Sequence, residues 1–69
     1  MFAIDWLRQG VPVERETSVL TDVPDVVAAA RAKADAVAAR HRGKEPDSFR
    51  LIDATGSIVC VFKVREWRR

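Results

Sequence analysis

Apolar side chains dominate Phe2-Ala3-Ile4-Asp5-Trp6-Leu7, a short run rich in aromatic and aliphatic residues that predicts a strand. Phe2, Ile4 and Trp6 share one face of it, and Ala3, Asp5 and Leu7 the other. Gln9-Gly10 follows, with a glycine suited to positive φ, and predicts a tight hairpin turn. From Val13 to Leu20 the alternation is weaker. Glu14 and Glu16 point one way, Arg15 and Thr17 the other. Pro12 cannot donate to a ladder, so this second strand belongs at a sheet edge, where its charges discourage unwanted pairing.

A period near 3.6 replaces the period of two after Leu20. Thr21-Asp22 offers capping oxygens, Pro24 fits a first helical turn, and Asp25 places negative charge where the helix dipole is positive. From Val26 to Arg42 the chain has neither glycine nor proline, and alanine is frequent. Val23, Val27, Ala30, Ala34, Val37 and His41 recur at spacings of three and four and predict one buried stripe. Arg31 and Asp35 stand four apart on its flank. Arg40, His41 and Arg42 suit the negative end of the helix, Gly43 is a natural left-handed stop, and Pro46 lies beyond it.

Strand periodicity returns over Phe49–Asp53 and Ser57–Trp67, with Asp53-Ala54-Thr55-Gly56 between them as a hairpin turn. In the last strand Ile58, Cys60, Phe62 and Val64 form one face, expected to lie under the helix; Ser57, Val59, Val61, Lys63, Arg65 and Trp67 lie on the other. The elements assemble into an α+β fold: a four-stranded, mostly antiparallel sheet in the chain order β-β-α-β-β, one long helix packed on one face, the last strand central and the second at an edge. The helix start Asp22-Val23-Pro24-Asp25, the alanine repeat after it and Phe49-Arg50-Leu51-Ile52-Asp53-Ala54-Thr55-Gly56 give the chain a resemblance to short uncharacterised bacterial proteins of domain-of-unknown-function type. That resemblance implies a fold and transfers no catalytic or binding residue.

With 69 residues the chain is a single small domain, residues 1–69, of limited core. A single cysteine excludes a disulfide framework, and one histidine with one cysteine excludes the ordinary zinc sites. No apolar run approaches the ~20 residues that span a bilayer, which argues against a membrane protein. The N-terminus carries no basic leader followed by an apolar stretch, so no signal peptide is expected. A lone cysteine without an export signal points to the cytoplasm. Four basic and six acidic side chains fall within residues 1–35, against eight basic and four acidic in residues 36–69. The net charge of +2 is thus concentrated as a basic C-terminal half.

Candidate chemistry is sparse. Cys60 lies in the apolar run Ile58-Val59-Cys60-Val61-Phe62 with no neighbouring charge to activate it, and reads as a buried structural thiol. His41 lacks an evident orienting acid and reads as a surface or capping residue. Glu14 and Glu16 read as charges on a solvated edge, and Gly10, Gly43 and Gly56 as separate turn residues, not a phosphate loop. No catalytic, metal or cofactor-binding residue is assigned, and no enzyme is expected. Because one helix covers one face of a sheet, Ile52, Val59, Val61 and Trp67 are expected to form an uncovered apolar surface. The leading expectation is a non-catalytic interaction module, a homodimer or the binder of an unidentified protein partner. The alternative is nucleic-acid binding by Lys63, Arg65, Trp67, Arg68 and Arg69, where cations would meet phosphates and the indole a base.

Overall fold

The computed structural model describes residues 1–64. Its elements are β1 (Phe2–Arg8), β2 (Val11–Ser18), α1 (Val23–Arg40), β3 (Ser48–Ile52) and β4 (Ile58–Lys63). All strand pairs are antiparallel, in the order β2-β1-β3-β4. The α+β arrangement and the edge place of β2 match the sequence expectation; the central place expected for the last strand does not. β4 stands at an edge, and β1 and β3 are central. Two short hairpins each keep their own strands together, and the helical crossover from β2 carries β3 past β2 to the free side of β1. The central place goes to the strand buried on both faces: Ile4, Asp5, Trp6 and Leu7 of β1 are all buried.

Both hairpin turns form where the residues place them. Gln9 and Gly10 have φ of 52° and 81°, the two positive values of a two-residue hairpin whose twist matches that of its strands. At the other hairpin the Asp53 carboxylate accepts from the Thr55 and Ser57 amides at 2.9 and 3.0 Å, and Gly56 takes φ 90°. The helix spans 18 residues, with Pro24 in its first turn. Asp22 is the N-cap by position, but its side chain makes no capping hydrogen bond. His41 ends the helix, donating its backbone N–H to the Ala38 carbonyl. The loop to β3 is pinned by Asp47, whose carboxylate accepts from the Gln9 amide at 3.1 Å and whose amide donates to the Leu7 carbonyl at 2.8 Å.

The core lies between α1 and one face of the sheet. Val26, Ala30 and Val37 of the helix meet Ile4, Trp6, Phe49 and Leu51 of the two central strands, and all seven are buried. The buried stripe is therefore rotated from the expected one. Val26 belongs at its centre, while Val23, Val27 and Ala34 are only partly buried beside it. Cys60, Phe62 and Val64 join the same layer from the β4 side, as expected. Ile58 does not. The ladder slips by one residue, so that Leu51 pairs with Cys60 but Ile52 with Ile58, leaving Val59 extra. Paired residues share a face, so the bulge moves Ile58 to the side opposite the helix. There it is 56% exposed.

Candidate interaction surface

Three rows of side chains cross the sheet face that α1 leaves open. Thr17, Ala3, Ile52 and Ile58 form one row, Arg15, Asp5, Arg50 and Val61 the middle one, and Pro12, Leu7, Ser48 and Lys63 the third. The middle row is the electrostatic centre of the face. Asp5 is 1% exposed and is flanked on both sides by guanidinium groups. Arg15 donates to its two carboxylate oxygens at 2.5 and 3.0 Å, and Arg50 to one of them at 3.0 Å. The hydrogen bond from Arg15 and then that from Arg50 hold the Asp5 carboxyl below its ordinary value, against the opposing push of burial.

The face is polar at its centre and apolar toward β4. Ile58, Val59 and Val61 are 56%, 44% and 57% exposed. Ile52, expected beside them as an exposed group, is buried instead, at the inner border of this patch between Ala3 and Ile58. Trp67, the fourth member of the expected surface, lies outside the described residues. So do Arg65, Arg68 and Arg69 of the expected nucleic-acid contact. Lys63 is exposed, at the end of β4 opposite Ser48.

The acids of β2 do something the sequence did not disclose. Glu14 and Glu16 pair with Trp6 and Ile4 and so share the helix face. They are not solvated ornaments. Glu16 accepts the indole N–H of buried Trp6 at 3.0 Å and the Lys33 ammonium at 2.8 Å. Glu14 accepts from the Arg40 guanidinium at 2.5 and 3.2 Å and lies 2.8 Å from His41 Nε2. A polar seam thus closes the gap between the β2 edge and α1, and supplies His41 with the acid it was expected to lack. Burial pushes Glu16 up, yet the bonds from Lys33 and Trp6 leave its carboxyl lowered. Glu14 is lowered chiefly by Arg40 and then by His41. On the opposite flank the Arg31 guanidinium lies 5.9 Å from the Phe49 ring centre and 5.8 Å from that of Phe62.

No catalytic pair is assembled from Cys60 and His41. His41 binds the β2 edge and Cys60 sits on β4, with β1 and β3 between, about 14 Å at ~4.8 Å per strand. Burial pushes the half-buried Cys60 thiol up, so that it is protonated at neutral pH. Two shallow depressions flank Pro46 and Val64, of about 520 and 560 Å³; the described residues lining them include Lys63, Asp47, Asp35 and Glu45, but neither His41 nor Cys60. Among the described residues no group of three His, Cys, Asp or Glu side chains could hold a metal ion, and no helix is long and apolar enough to cross a membrane.

Asp5 was the residue least visible beforehand. Its signal was a lone acid in an apolar strand, which demands a partner once buried. Naming that partner required the register. No family model, curated protein or solved structure matches this chain.

Proposed function

We propose that the protein is a non-catalytic interaction module that associates, with itself or with a protein partner, through the β4 side of its open sheet face. The exposure of Ile58, Val59 and Val61 in one neighbourhood carries this reading. Contiguous apolar surface on a small domain marks an interface. The Asp5–Arg15–Arg50 row bounds that patch on one side and favours docking offset toward β4 over a dry packing of the whole face. A single free cysteine, Cys60, fits a reducing cytoplasm. The alternative, nucleic-acid binding by the basic run from Lys63, draws on the exposure of Lys63 alone among the described residues.

The test is sedimentation of the chain over a wide concentration range, beside its Val61→Asp variant. Val61 is more than half exposed, so the variant is expected to fold. Concentration-dependent association that Val61→Asp abolishes supports the reading. Association that is indifferent to Val61→Asp counts against it.

A further inference from the structure

The two edges of the sheet are built differently. β2 carries Pro12, Glu14, Arg15 and Glu16 and is irregular near Val13. Charge, proline and a bulge are the devices that stop an edge from pairing with another chain. β4 reads Ile58-Val59-Cys60-Val61-Phe62-Lys63, with no proline and a charge only at its last residue; its own bulge, at Val59, lies toward the turn, and its ladder is regular from Cys60 to Lys63. Its backbone is also poised outward. The Val64 amide donates to the Asp47 carbonyl, 3.0 Å away. Backbone direction alternates along a strand, so Phe62 and Cys60 turn their N–H and C=O groups toward β3, and Val61 and Lys63 turn theirs away from it.

We propose that β4 pairs antiparallel with β4 of a second copy about a two-fold axis at Val61, joining the two sheets into one of eight strands. This rests on the interaction reading above and specifies its partner and geometry. In that register Val61 faces Val61 of the second copy on the open side, and Cys60 faces Phe62 of the second copy on the helix side, so apolar groups meet on both faces. Charge selects the same arrangement. The two Lys63 residues stand two positions either side of the axis, about 14 Å apart at ~3.4 Å per residue, beyond the screening length of roughly 8–10 Å. Each Lys63 instead approaches the β3–β4 turn of the other copy, where Asp53 supplies the opposite charge. Sliding the axis to Phe62 would bring the lysines closer together. Pairing through β2 would set its acids and Arg15 against their own copies.

Hydrogen exchange by residue, combined with sedimentation, tests this. A dimer is expected, in which the Val61 and Lys63 amides are protected at high concentration and lose protection on dilution, while Phe62 stays protected throughout. Lys63→Pro removes one outward donor per copy, leaves Val59 and Val61 in place, and is tolerated on an edge strand. It is expected to weaken the dimer by roughly tenfold or more. Phe62→Pro, which loses an inward donor, is expected to unfold the monomer instead. A dimer whose Val61 and Lys63 amides exchange freely overturns edge pairing but leaves association through the open face standing. A chain that stays monomeric at high concentration overturns the second copy as partner. Where the chain does associate, association that Val61→Asp leaves unchanged overturns the face reading itself.

Discussion

Asp5 lies directly across the ladder from Arg15, not from Glu14, and the extra residue Val13 makes the difference. The turn pairs Arg8 with Val11 and Leu7 with Pro12; beyond it the register shifts, and Trp6 pairs with Glu14 and Asp5 with Arg15. An unbroken ladder would have set Asp5 opposite Glu14, two carboxylates face to face. A one-residue slip exchanges the faces of a strand. Here it also sends Glu14 and Glu16 under the edge of the helix, where Trp6, Lys33, Arg40 and His41 receive them.

Removing Asp5 leaves two guanidinium groups facing a buried, uncharged site. Breaking a fully buried pair costs about 3–5 kcal/mol. Arg15 is 60% exposed and can turn to water, so Asp5→Ala is expected to cost about 2–3 kcal/mol in denaturant unfolding. The less exposed Arg50 is the stricter partner, and Arg50→Ala is expected to destabilise more than Arg15→Ala. Equal and negligible losses in all three variants would contradict the pairing.

Asp5, Glu14 and Glu16 are all held below their ordinary values. A carboxyl whose folded value is depressed contributes stability that is fully present above its unfolded value and is lost as pH falls through the folded one. Stability is therefore expected to decline on acidification from the ordinary carboxylate range near pH 4–5 downward. Urea midpoints measured against pH check this. In Asp5→Asn the curve should be lower at neutral pH and flatter toward acid, converging on that of the unmodified chain once Asp5 itself is protonated.

Local features were legible in the residues: both turns, the helix, and the division of the first strand into its two faces, though not which of them meets the helix. These depend on contacts close in sequence, as at Gln9-Gly10 and Asp53–Gly56. The edge place of β2 was legible from Pro12 and its charges, but that of the last strand was not, because apolar content on both of its faces fits a central position as well as an uncovered edge. The displacement of Ile58 and the roles of Glu14 and Glu16 were hidden for a related reason. Each turns on a single extra residue, Val59 or Val13, whose presence is decided by the ladder on the neighbouring strand.

Phe49 is fully buried between two rings, 5.3 Å from Trp6 and 5.6 Å from Phe62 by ring centres. Phe49→Ala is expected to cost about 3–5 kcal/mol, enough to unfold so small a domain. Phe62 is only partly buried at the β4 edge, and Phe62→Ala is expected to cost less. Thermal unfolding of the two variants in parallel measures the order. A larger loss at Phe62 would move the centre of the core toward β4.

Cys60 is half-buried in the helix-side layer and its thiol is pushed up by burial. Reaction with a thiol reagent at neutral pH is expected to be slow in the folded chain and fast after denaturation. Fast labelling of the native protein would mean an activated thiolate and would reopen catalysis.

The basic run beginning at Lys63 separates the two proposed kinds of partner. Four cations on phosphates, Lys63, Arg65, Arg68 and Arg69, would give a salt dependence of about −3, from roughly −0.7 per neutralised phosphate on a single strand. Stacking of a base on Trp67 would add about 1–3 kcal/mol that Trp67→Ala removes. Such binding would tolerate any sequence, since phosphate and a base face are common to every nucleotide. Against it stand the thinness of the charge, interrupted by Glu66, and the apolar character of β4 up to Lys63. A strand edge suited to another strand competes with nucleic acid for the same end of the chain. The expected result is no detectable binding of a single-stranded oligonucleotide at physiological salt, with Trp67→Ala altering only stability or association. Salt-dependent binding that disappears with Trp67 would instead assign this end of the chain to nucleic acid and leave the apolar patch beside it to shape that contact.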